Sequence, residues 1–108
     1  MKEKGEKRME NFEKVINEIG FGAAAVRLQE ELPPDFWNSL NVEQCREILI
    51  TARSWNSKAV KNTVSRLEEL NPSRKVWTEI YDKSSLYLQI GEKIREMLRA
   101  EYASALFK

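Results

Sequence analysis

Lys75-Val76-Trp77-Thr78-Glu79-Ile80-Tyr81-Asp82-Lys83-Ser84-Ser85-Leu86-Tyr87-Leu88-Gln89-Ile90 is the stretch whose reading decides the fold. As strands, Lys75–Tyr81 and Leu86–Ile90 would flank Asp82-Lys83-Ser84-Ser85 as a β-hairpin, and the Val, Trp, Thr, Ile and Tyr of the first arm are β-prone. As helix, Val76, Trp77, Ile80 and Tyr81 fall on one stripe, and Leu86, Ile90, Ile94, Met97 and Leu98 on another. The second stripe runs in phase into Gly91–Leu106, whose spacing is helical throughout. That continuity favours helix over hairpin. The expected class is therefore all-α; a hairpin at about 75–90 would instead supply the wing of a winged helix.

Upstream of this stretch the helix signals are explicit. Met9, Phe12, Val15, Ile16 and Ile19 follow the three-and-four spacing of one helical face, and Gly20-Phe21-Gly22 ends that helix. A second helix is expected from about Ala23 to Leu32, with Val26 and Leu28 as its larger apolar contacts. Pro33-Pro34 breaks it, since proline lacks an amide donor and disfavours helix in the residue before it. Asp35–Leu40 then reads as a single helical turn with Pro34 at its first position. Asn41 and Gln44 form a capping box for a helix reaching about Trp55, with Cys45, Ile48, Leu49 and Ala52 toward the core. Ser57 caps a further helix, Lys58–Leu70, striped by Val60, Val64 and Leu67. Asn71-Pro72 reads as another cap followed by proline at the first helical position. The whole chain, 1–108, is expected to be one domain of five or six helices with a long C-terminal helix as its spine, residues 1–7 fraying.

Composition narrows the chemistry. The chain has 108 residues, 32% charged and 42% hydrophobic, which suits one folded domain with one core. The mixed-charge start, Met1-Lys2-Glu3-Lys4-Gly5-Glu6-Lys7-Arg8, has no apolar run behind it, so a secretory leader is not expected and the cytoplasm is the expected compartment. No run approaches the length of a membrane span. There is one cysteine, Cys45, and no histidine. Ser–His and Cys–His nucleophile pairs, His-ligated zinc and an imidazole pH switch are therefore excluded. Glu43/Glu47 and Glu92/Glu96 are paired carboxylates at i, i+4, but Arg46, Lys93 and Arg95 are interleaved with them, which reads as solvated ion-paired faces. Gly20-Phe21-Gly22 lacks the spacing and the lysine of a phosphate loop. Neither an enzyme nor a cofactor, metal or small-molecule site is expected. Cys45 lies between Val42 and Ile48 on an apolar face and reads as a small core residue.

Two binding functions remain. The net charge is only +1, yet residues 1–50 hold 7 bases and 10 acids while 51–108 hold 11 and 7. Ile48–Leu67 contains Arg53, Lys58, Lys61 and Arg66 and no acid. Helix, Asn-Ser break and basic helix give the 48–70 segment a compositional likeness to helix-turn-helix proteins, in which Arg53, Lys58, Lys61, Asn62, Ser65 and Arg66 would touch phosphates and base edges. Ala52 and Asn56 fit the turn, but Val64 and Leu67 arrive about two residues late for a tight one. The other function is association through helices. Leu86, Tyr87, Leu88, Ile90, Ile94, Met97, Leu98, Tyr102, Ala105, Leu106 and Phe107 occupy more of the last helix than packing on one core requires. Leu88, Tyr102, Leu106 and Phe107, with Phe36 and Trp37 beside the prolines, are the expected interface residues. A self-associating, non-catalytic interaction module, most simply a homodimer, is the expected function. A DNA-binding regulator is the alternative, and another protein is the alternative partner.

Overall fold

A computed structural model describes the backbone of residues 2–106 and the side chains of 11–106; the side chain of Met9 and the whole of Phe107, both invoked above, lie outside the described residues. Among the described residues the chain is all-helical. Seven helices follow one another: α1 (Lys2–Ile19), α2 (Phe21–Arg27), α3 (Pro34–Asn38), α4 (Val42–Thr51), α5 (Lys58–Leu70), α6 (Arg74–Lys83) and α7 (Tyr87–Leu106). The stretch 75–90 is thus helix, turn and helix, and no hairpin forms.

α4 is the centre. It packs on α2, α5 and α6, while α1 leans on α2, α3 on α5, and α7 on α6. Cys45, Ile48 and Leu49 are fully buried, and Ala52 nearly so, as the period predicts. From α5, Ala59, Val60, Thr63, Val64 and Leu67 meet them. The α2–α4 crossing is close enough to require a glycine. A Cβ on Gly22 would sit 2.5 Å from the Glu47 carbonyl oxygen, a backbone atom that cannot swing aside.

Caps set the boundaries, and several differ from the sequence reading. The capping box of Asn41 and Gln44 is present in full. Gly20, at φ 90°, both ends α1 and precedes α2, which therefore starts two residues earlier than expected and stops at Arg27. α4 ends at Thr51 and not near Trp55. Its last carbonyls are taken by hydroxyls from the α6–α7 turn: Ser84 Oγ donates to Leu49 O (2.8 Å) and Ser85 Oγ to Ala52 O (3.3 Å). Ser84 also accepts from the Leu86 amide (3.0 Å), so one buried hydroxyl ends a helix and shapes the next turn. At the α5 start, Ser57 Oγ accepts from the Val60 amide (3.3 Å) and Gln29 Oε1 from the Ala59 amide (2.8 Å). Asn71 does not open α6. It closes α5 in the left-handed conformation, φ 49°, and Ser73 stands at the N-cap of α6. Asparagine tolerates that conformation better than other side-chain-bearing residues, so the Asn-Pro pair ends one helix rather than starting the next.

The helical hairpin of α6 and α7 hangs on this bundle. Trp77 and Ile80 of α6, with Leu86 and Ile90, close the core from that side. Arg46 of α4 donates to Glu79 of α6 (2.6 Å) and to Glu43 of its own helix (2.7 Å), pinning the hairpin to the centre. Lys93 of α7 reaches Glu68 of α5 (3.1 Å), and Arg74 at the start of α6 pairs with Glu101 far along α7.

Candidate functional site

α7 has two apolar stripes, and only one is covered. Leu86 and Ile90 are buried, and Ile94 and Met97 pack partly against the core. About a third of a turn away lies a second line: Leu88, Gly91, Arg95, Leu98, Tyr102 and Ala105, spaced three, four, three, four and three. That is the heptad seam of a helix that packs on another helix. Its large members are open to solvent: Leu88 is 69% exposed, Leu98 45% and Tyr102 68%, with Leu106 at 64% beside them. From Leu98 to Leu106 every residue of α7 is exposed.

α6 contributes a wall. Tyr81 lies over Gly91, where a Cβ would meet its ring at 3.2 Å, and packs edge-on against Tyr87 with ring centroids 6.4 Å apart. Thr78, Tyr81, Gly91, Ile94, Arg95 and Leu98 line a shallow open groove between the helices. Beyond it, Arg74, Thr78 and Glu101 line a more polar recess. The six large side chains along this face are 42% to 69% exposed, roughly 700 Å² in all with the tyrosine hydroxyls and backbone included, so the apolar part is comparable to the ~300–600 Å² usual for the largest apolar patch of a monomer. One charge stands inside the stripe, Arg95, held by Glu92 (3.0 Å) on the same helix.

The expected interface residues divide. Leu88, Tyr102 and Leu106 lie on this face. Phe36 and Trp37 do not. Trp37 is 3% exposed, and Phe36 is wedged among Phe12 (5.0 Å between ring centroids), Phe21 (5.9 Å) and Trp37 (4.8 Å). The proline pair starts α3 pointing inward, so these rings knit α1, α2 and α3 together and are not exposed anchors. Tyr81, expected on the core stripe with Ile80, is 42% exposed and joins the outer face instead. Leu98 and Tyr87 belong there as well; the three-and-four spacing from Leu88 would have identified Leu98.

The basic set is spread out. Arg53, Lys58, Lys61 and Ser65 are exposed, and Asn62 is half-buried. Arg66 is engaged: its Nε donates to the Leu40 carbonyl (2.8 Å), holding the α3–α4 turn, and its Nη1 approaches Glu69 (3.4 Å). The Cys45 thiol is buried, and burial pushes its pKa up to about 11 against the opposing pull of Arg66. A thiol so protonated at neutral pH is a poor nucleophile. Among the described residues no group of three or more His, Cys, Asp and Glu side chains is placed to hold a metal ion, and no helix is long and apolar enough to cross a membrane. No protein-family model matches the chain, and neither the curated proteins nor the solved structures include a significant match to it.

Proposed function

We propose that the chain is a non-catalytic helical interaction module that associates with itself through the outer face of α6 and α7. The observation that carries this reading is the second heptad stripe of α7, left exposed beside Tyr81 and Tyr87 although the first stripe is packed. A helix whose only task was to complete this core would need apolar residues on one side. The outer side instead carries Leu88, Leu98, Tyr102 and Leu106 over about two and a half heptads with Arg95 among them, and from Leu98 on its residues are exposed and add nothing to the domain's own core.

The nucleic-acid alternative has less support. Arg53, Lys58 and Lys61 are exposed where phosphates could reach them, but the Arg66 guanidinium is committed to a backbone carbonyl and to Glu69. The test of the first reading is the double variant Leu98→Ser with Leu106→Ser, followed by light scattering and circular dichroism. The expected result is a fall from dimer to monomer mass at unchanged helix content. Dimer mass retained by the double variant would contradict the reading.

A further inference from the structure

The order of side-chain sizes along the exposed stripe specifies how a second copy would sit. We infer that two copies pair their α7 helices antiparallel, in the register that sets Leu88 opposite the second copy's Ala105, Gly91 opposite its Tyr102 and Arg95 opposite its Leu98. This rests on the self-association reading above.

Size is the first argument. Read forward, the seam is Leu88, Gly91, Arg95, Leu98, Tyr102, Ala105; read backward, it is Ala105, Tyr102, Leu98, Arg95, Gly91, Leu88. Laid against its own reverse, a large residue meets a small one at each end, and the central layers match long with long. Gly91 adds no side chain to its layer and the Tyr81 ring already covers it, so the incoming Tyr102 ring packs against the Tyr81–Tyr87 pair. Parallel pairing would stack Tyr102 on Tyr102 and Leu88 on Leu88 while setting glycine on glycine and alanine on alanine. Close packing disfavours such uneven layers.

Charge is the second argument. Glu92 and Arg99 lie one heptad apart on the same edge of the stripe, the edge away from α6. In antiparallel pairs such edges face each other, so Glu92 of each copy meets Arg99 of the other, and the two-fold axis makes the contact twice. Arg99 forms no ion pair among the described residues and is available for it. Parallel pairing would put these two charges against Tyr87 and Ile94 instead. The opposite edge of the stripe faces α6 in both copies, so the two α6 helices come to the same side, and four helices close around Tyr81.

Area is the third. Covering both faces completely would bury at most roughly 1,400 Å² in total, at the lower end of the ~1,200–2,000 Å² of stable specific interfaces.

The experiment is cross-linking of cysteine variants with a short two-carbon bismaleimide, alongside sedimentation of the same samples. Leu88 and Ala105 are both exposed, so cysteines there leave the fold intact, and Cys45 is buried and leaves wild type as the unreactive control. Leu88→Cys with Ala105→Cys is expected to give a covalent dimer in high yield. Leu88→Cys alone is expected to give none, because the two positions 88 would lie about 25 Å apart, 17 residues at about 1.5 Å each. Efficient linking by Leu88→Cys alone would overturn the antiparallel register while leaving self-association standing. A dimer by sedimentation that neither variant links would overturn the register too. A particle that stays monomeric throughout would overturn the self-association reading and this inference with it.

Discussion

α4 and α7 are both amphipathic, and they differ in how much of their apolar surface the domain itself covers. α4 is surrounded: α2, α5 and α6 take its Cys45, Ile48 and Leu49, and side chains from distant turns cap its last carbonyls. α7 is twice as long, 20 residues against 10, yet Ile90 is its one fully buried member. The length beyond Met97 makes no core. The difference separates two uses of apolar residues in one chain. Those on α4 stabilise the domain by leaving water on folding, whereas the outer stripe of α7 remains in water until a second helix arrives.

The comparison can be broken most severely at its centre. Leu49→Ala removes a fully buried side chain from the meeting point of α4 with its neighbours, and is expected to cost about 2–5 kcal/mol in urea unfolding. Loss of association here would follow loss of the fold. Ser84→Ala comes next. It strands the Leu49 carbonyl and the Leu86 amide in a buried turn, an expected cost of about 1–3 kcal/mol, and it loosens the hairpin that presents the outer face. At the small end, the Leu98→Ser, Leu106→Ser variant is expected to shift the monomer's unfolding by less than about 0.5 kcal/mol, measured at concentrations where wild type is also dissociated. A cost above 2 kcal/mol in that variant would mean that the stripe belongs to the core after all, and the contrast between α4 and α7 would disappear.

Much of the fold is legible in the sequence because it is written locally. The Asn41–Gln44 box, the Ser57 cap and the Pro33-Pro34 break all act within a few residues of themselves and stand where they were expected. The continuity of the stripe from Leu86 onward favours helix for 75–90, and helix is what forms there on either side of a turn. Boundaries that depend on distant partners were not legible. α4 stops at Thr51 because Ser84 and Ser85, more than thirty residues on, take its carbonyls. Asn71 caps the helix behind it, and its left-handed conformation is a backbone choice that the Asn-Pro spelling does not disclose.

The candidate face was legible only in part. An excess of apolar residues on α7 was visible, and Leu88, Tyr102 and Leu106 followed from it. Beside their prolines Phe36 and Trp37 read as surface anchors, but the aromatic cluster with Phe12 and Phe21 that buries them joins residues from three helices. Tyr81 fell on the expected core stripe of α6 but at its edge, where a few tens of degrees of helix rotation decide between core and water. The composition around Arg66 fits a groove contact, but its bond to Leu40 links positions 26 residues apart. In each case the missing information is tertiary, and no local period carries it.

Sedimentation equilibrium of the wild-type chain over a hundredfold range of concentration tests the central claim most directly. The account predicts a mass rising from 12.6 kDa toward twice that value as concentration increases. A mass fixed at 12.6 kDa across the whole range would contradict it and leave the outer face of α7 without the partner proposed here.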